Sequence, residues 1–134
     1  MRYQRAELPA KLDGLAAATK FFAGCMADAD PAFESLWVAH VDDQSRCVHL
    51  SRHSGDATGL AFPLRDIISD AARHDSAGMV LAHNHPSGDP RPSESDCRAT
   101  RRLVAAVEAL DCTVLDHLVF VGAQCTSLRK MGLL

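Results

Sequence analysis

The stretch Gly78-Met79-Val80-Leu81-Ala82-His83-Asn84-His85-Pro86-Ser87-Gly88-Asp89-Pro90-Arg91-Pro92-Ser93-Glu94-Ser95-Asp96 decides how this chain folds. Its first five residues form a compact apolar run, which predicts a buried strand over 78–82. Residues two apart in a strand point to the same face. His83 and His85 therefore converge on one side at the strand's end. Three prolines within residues 86–92 restrict the loop that follows. Ser93 is a favourable N-cap, and the pattern behind it predicts a helix to about residue 110 that buries Ala99, Leu103, Val107 and Leu110.

Outward from that core, Leu12, Leu15, Ala16, Thr19, Phe22, Cys25 and Met26 follow a three-four spacing and predict an amphipathic helix over 11–26. Residues 28–31 break it. Residues 33–41 read as a strand, 42–45 as a turn, and 46–50 as the returning strand of a hairpin. Residues 51–58 read as a loop. Leu64, Ile67, Ile68, Ala71 and Ala72 mark a short helix after Pro63, and β-branched and apolar residues predict a strand over 113–121. The tail, 127–134, is short. No repeat or low-complexity segment occurs. Strands alternating with helices give an α/β or mixed α+β domain around one sheet.

The composition sets bounds. The 134 residues amount to one domain, and 47% hydrophobic with 23% charged residues excludes disorder, collagen and coiled coil. Fourteen basic against seventeen acidic side chains give a net charge of −3, against a dedicated nucleic-acid binder. A local patch stays open: Arg98, Arg101 and Arg102 share a helix face, whose plain reading is solvation. No apolar run approaches the ~20 residues of a membrane span, and residues 1–10 lack the apolar core of a signal peptide. A cytoplasmic protein is expected. The five cysteines, at 25, 47, 97, 112 and 125, are odd in number, widely spaced and without a CxxC, against a disulfide framework or thiolate zinc site.

His83 and His85 admit two readings: polar surface at a strand end, or half of a tetrahedral zinc site. Ser93 and Asp96 likewise admit a plain capping arrangement, each serving backbone N–H groups. Asp96 also shares the first helical turn with Ser93. A folded-back proline loop brings it to the histidines, giving three protein ligands and one position for water, which is the catalytic zinc pattern. The two readings of Ser93 are compatible, because its oxygen accepts one hydrogen bond while its proton is donated elsewhere.

The pattern His-x-His, seven residues, Ser, two residues, Asp resembles the JAMM signature of the JAB/MPN metalloprotease superfamily, and the string from His83 to Ser93 followed by Asp96 resembles its RadC-like family. Thr100-Arg101-Arg102-Leu103, Leu115-Asp116-His117-Leu118 and the segment 127–134 resemble that family's ending. The likeness covers roughly residues 31–134, with residues 1–30 as an N-terminal helical extension. It implies a three-layer α/β domain of the JAB/MPN, cytidine-deaminase-like type, with a curved mixed sheet flanked by helices. It implies one Zn2+ on His83, His85 and Asp96, with Ser93 stabilising an oxyanion. It also calls for a glutamate at the start of the first core strand. Glu34 fits in position and context as general base, ahead of Glu7, Glu94 and Glu108.

The implied function is hydrolysis of a peptide or isopeptide bond in a peptide or protein substrate. The alternatives are a non-catalytic MPN scaffold, which typically lacks metal ligands, and the DNA-repair accessory role of the family's label. Two departures stand out. RadC-like chains usually carry about a hundred helical residues before this domain, against about thirty here, so functions lodged there are expected to be missing. Residues 53–58 replace the family's Gly-Thr pair, which predicts a remodelled loop. A cytidine deaminase fails, because His85 stands where that class needs Glu and Cys97 has no partner cysteine. His40, His49, His53 and His74 read as surface or core residues, and His117 as packing.

Overall fold

The computed structural model describes residues 10–55 and 59–134. Among these described residues, three helices and five strands follow one another as α1 (Leu15–Met26), β1 (Ser35–Val41), β2 (Cys47–Ser54), α2 (Leu64–Arg73), β3 (Gly78–Asn84), α3 (Glu94–Glu108), β4 (Thr113–Val121) and β5 (Gln124–Ser127). The strands form one sheet in the order β2-β1-β3-β4-β5. Among the described strands, only β3 and β4 run parallel, and α3 is the crossover between them. The domain is α/β, with a mixed sheet between helical layers, as expected.

Alternation along the strands divides the core. On one face Trp37, Ala39, Val80, Ala82, Leu118 and Phe120 pack against Ala18, Phe22 and Cys25 of α1. On the other, Leu36, Val38, Met79, Leu81 and Val114 pack against Ile67 and Ala71 of α2 and Leu103 and Val107 of α3. β1 is buried along its whole length because both faces are covered. That explains its unbroken apolar character.

Several boundaries differ from the sequence reading. Helix α1 starts at Leu15, not residue 11, because Lys11 bridges Arg46 and the Leu12 N–H donates to the Ser45 carbonyl at 2.8 Å. Strand β2 runs on to Ser54, where a loop was expected from residue 51. Ser51 to Ser54 pair with Val38 to Ser35, and their polar side chains belong to a partly exposed edge strand. Residues 56–58 of that expected loop, and Glu7, lie outside the described residues. Leu110 is exposed, since α3 ends at Glu108, and Ala99 is only half-buried. Cys97 and Thr100 take the inner positions instead. The short strand β5 was not anticipated; its four residues pair with Leu118 to Val121.

One buried polar side chain makes the fold acid-sensitive. His40 on β1 is fully buried, with Nδ1 at 2.8 Å from Ser76 Oγ. Burial, followed by the neighbouring His49, lowers its pKa from 6.5 to about 4. The unfolded chain thus takes up a proton that the folded chain refuses between those values. Stability falls as pH drops from 6.5 towards 4, by about 3 kcal/mol from this residue at ~1.4 kcal/mol per unit. Urea midpoints of metal-free protein at pH 7 and pH 4.5 check this, and a His40→Gln variant with an undiminished pH dependence contradicts it.

Candidate metal centre

The C-terminal end of β3 carries the site. His83 pairs in register with Leu36 of β1 and Val119 of β4, so it sits in the middle of the sheet and is 3% exposed. The chain stays beside β4 for one more residue, with the His85 N–H donating to the Phe120 carbonyl at 3.0 Å. Both imidazoles therefore stand on the α3 face, with ring centroids 4.7 Å apart. The proline loop then turns back through Gly88 at φ 87°, a left-handed conformation that glycine adopts freely. Arg91 holds Asp89 by Nε and Nη2 at 3.1 and 2.9 Å. These bonds lower the Asp89 carboxyl to about 2. The carbonyl of Asp89 in turn accepts from His85 Nδ1 at 2.8 Å, which aims the opposite nitrogen of His85 inward.

Helix α3 delivers the carboxylate. Ser93 and Asp96 form the reciprocal capping box: the Asp96 N–H donates to Ser93 Oγ at 2.9 Å and the Ser93 N–H to Asp96 Oδ2 at 2.8 Å. The same Oδ2 faces His85 Nε2 at 3.0 Å and His83 Nε2 at 3.3 Å. Capping and convergence on the histidines are thus one arrangement. Burial alone raises the Asp96 carboxyl, but the imidazoles and the Ser93 N–H outweigh it and hold it well below the carboxylate range. The hydrogen bond to Asp96 raises the pKa of His85 against the opposing effect of burial.

Glu34 arrives from the strand next door. Asn84 lies between the two histidines and points to the opposite side of the strand. Its Oδ1 accepts from the Ser35 N–H at 2.7 Å and its Nδ2 donates to the Phe33 carbonyl at 2.9 Å. The residues on either side of Glu34 are thereby fixed to the metal-site strand. Glu34 Oε2 is 3.9 Å from His83 Nε2, and one donor atom each from Glu34, His83, His85 and Asp96 lies within 4.8 Å of the others. The site opens into a cleft of ≈ 570 Å³ bordered by Glu34, His85, Arg91, Ser93 and Asp96. Cys97 packs beside Val119 and Leu128 and takes no part. Glu94 faces Arg98 at the exposed surface, 3.6 Å away.

Two further residues complete the arrangement, and the sequence reading had assigned neither a place in it. Thr100 Oγ1 donates to the Asp96 carbonyl at 2.7 Å, so its oxygen accepts from His117 Nδ1, also at 2.7 Å. Burial keeps the pKa of His117 well below 6.5, so this imidazole is neutral. Its Nε2 then carries a lone pair and accepts from His83 Nδ1 at 2.7 Å. This chain of bonds commits Nδ1 of His83 as the donor to His117 and leaves Nε2 as the nitrogen that faces the cleft. That atom is buried, has no hydrogen-bond partner among the described residues, and faces the Asp96 and Glu34 carboxylates. A buried imidazole nitrogen set against two carboxylates calls for a proton or a metal cation between them. Two imidazole nitrogens and a carboxylate are the donor set that zinc prefers, so these residues fit that metal. The spacing of His117 and Thr100, on a strand and a helix that flank β3, offered no local signal.

Comparison with known proteins agrees with this geometry. The family model described as RadC-like JAB domain matches residues 12–133. A UPF0758 protein of Moorella thermoacetica is 48% identical over 77 residues, covering 58% of this chain and 33% of its own. Relatives of the same name from Thiobacillus denitrificans and Chloroflexus aggregans are 36% and 40% identical over 104 and 101 residues, which is 77% and 75% of this chain and 46% and 44% of theirs. The chain thus spans less than half the length of these curated relatives. Among the described residues, no helix is long and apolar enough to cross a membrane. With a β3 end, capping box and converging donors of this form, and a family match over nearly its whole length, the chain belongs to the RadC-like JAB domain family.

Proposed function

We propose that this domain is a zinc-dependent hydrolase that cleaves a peptide or isopeptide bond. The observation that carries the reading is the unpartnered Nε2 of His83, buried between the Asp96 and Glu34 carboxylates. His83, His85 and Asp96 are the proposed ligands. A zinc ion held by these residues would supply Lewis acidity and a water nucleophile at neutral pH. Glu34 holds its carboxylate at the mouth of the cleft, where it accepts a proton from the attacking water and returns it to the leaving amine. Ser93 Oγ accepts the Asp96 N–H as a cap. Its own proton is then available to the oxygen that gains charge as the carbonyl is attacked. The rigid proline loop and the Asp89–Arg91 pair keep His85 in place while substrate enters. A scaffold role is disfavoured, since the full donor set is retained; a DNA-repair role finds no support in the geometry of this site.

The reading is tested with protein stripped by a chelator and assayed on peptide and isopeptide substrates with and without zinc. Cleavage that requires zinc is expected, and hydrolysis undiminished in stripped protein contradicts the proposal. Ser93→Ala separates the two duties of that hydroxyl. It is expected to cost about 1 kcal/mol of stability through the lost cap, and about 10²-fold or more in kcat through the lost oxyanion donor. Unchanged turnover reduces Ser93 to a cap.

A further inference from the structure

A second group of donors gathers on the same sheet face, away from the cleft. His49 on β2 is the cross-strand partner of His40 on β1, so both imidazoles stand on one face. Asp70 in α2 and His74, just beyond its C-terminus, are four residues apart and share one side of the helix. The fold closes α2 over the hairpin so that one donor atom each from His49, Asp70 and His74 lies within 4.8 Å of the others. His49 Nε2 is 3.5 Å from Asp70 Oδ2, and the His49 and His74 rings stack with centroids 4.0 Å apart. Arg73 approaches the other oxygen of Asp70 at 3.8 Å. Close by lies His40, with its ring 5.5 Å from His49 and 6.5 Å from His74. It is fully buried, spends Nδ1 on Ser76, and leaves Nε2 without a partner among the described residues.

We propose that His49, Asp70 and His74 form a second site for a divalent transition metal of the zinc class, independent of the His83–His85–Asp96 centre. Two imidazoles and one carboxylate suit zinc and its late first-row neighbours rather than magnesium or calcium, which take oxygen donors. A tetrahedron with bonds of about 2.0–2.1 Å has edges of about 3.3 Å. The donor atoms of His49, Asp70 and His74, within 4.8 Å of one another, would close to that spacing around the ion. The two sites lie at opposite ends of β1: four residues, about 13 Å of strand, separate Leu36, the register partner of His83, from His40. A metal here cross-links α2 to the edge strand β2 and so acts as a structural clamp.

The test is zinc stoichiometry, by equilibrium dialysis and elemental analysis of the untagged full chain after chelator stripping. About two equivalents are expected for the wild type, one each for His74→Ala and His85→Ala, and none for the double variant. Zinc should also raise the Tm of His85→Ala and leave that of the double variant unmoved. His49→Gln and His74→Gln, which keep polarity and size, guard against loss by misfolding and should each remove the same single equivalent. Zinc bound by His85→Ala to no extent, or a wild-type count retained in His74→Ala and His49→Gln, overturns the proposal. One equivalent in the wild type that persists in His85→Ala and disappears in His74→Ala supports this site and removes the first one.

Discussion

Glu34→Gln is expected to keep zinc and lose hydrolysis. The substitution preserves size and hydrogen-bonding capacity but removes the carboxylate's basicity. His83, His85 and Asp96 are untouched, and Glu34 itself is held through its neighbours' backbone, by Asn84 on Phe33 and Ser35. Metal content and urea midpoint should therefore stay near wild type. General acid–base catalysis by one positioned group contributes about 10²–10⁴-fold, so kcat should fall by that factor. Elemental analysis alongside single-turnover cleavage reads both quantities. Its Oε2 at 3.9 Å from His83 Nε2 also places Glu34 close enough to be a ligand. A Gln variant that loses zinc together with activity would mean that Glu34 holds the metal, and the role of base would have to pass elsewhere.

His85→Ala is expected to abolish zinc at this centre while the fold survives. His85 stands just beyond β3, and its loss removes two part-buried hydrogen bonds, from Nδ1 to the Asp89 carbonyl and between Nε2 and Asp96 Oδ2, each worth on the order of 1 kcal/mol. Altering groups that merely support a ligand already costs about 10–100-fold in metal affinity, so loss of a ligand should cost on the order of 10²-fold or more. His83→Ala should behave differently. It opens a hole in the centre of the sheet and leaves His117 Nε2 buried without its donor, a penalty of about 1–3 kcal/mol beyond the lost volume. Competition with a chromophoric chelator measures affinity, and urea titration of the metal-free forms measures stability. Zinc retained at this centre by His85→Ala would remove that residue from the ligand set.

Much of this was legible in the chain because it is local. A run of apolar residues closed by His-Asn-His states both a strand and the side on which two imidazoles emerge, since alternation is a property of extended backbone. Ser93 and Asp96 state a helix start, since an N-cap and an acceptor three residues on can meet only there. The sequence left capping and metal binding as alternative readings of Asp96, and the structure shows its Oδ2 facing both the Ser93 N–H and the histidines. The extent of β2 was misread for a related reason: the alternating polar residues of an edge strand look like loop until their pairing with β1 is known. Leu110 was misplaced because periodicity does not say where a helix stops.

What the sequence by itself determined is the order of strands and helices as far as β4, the two histidines on one side of β3, and the capped start of α3. Only the tertiary structure decided the rest. Glu34 lies forty-nine residues before His83, and no local rule brings them together; antiparallel pairing of β1 with β3 does, with Asn84 fastening the segment. The hydrogen bonds from Thr100 through His117 to His83 join a helix and two strands. They fix which nitrogen of His83 donates to His117 and which faces the carboxylates, a matter that follows from who donates to whom in a dry interior. Periodicity and capping act within a few residues and are written into the chain, whereas the tautomer of a buried imidazole depends on neighbours that only the packed sheet supplies.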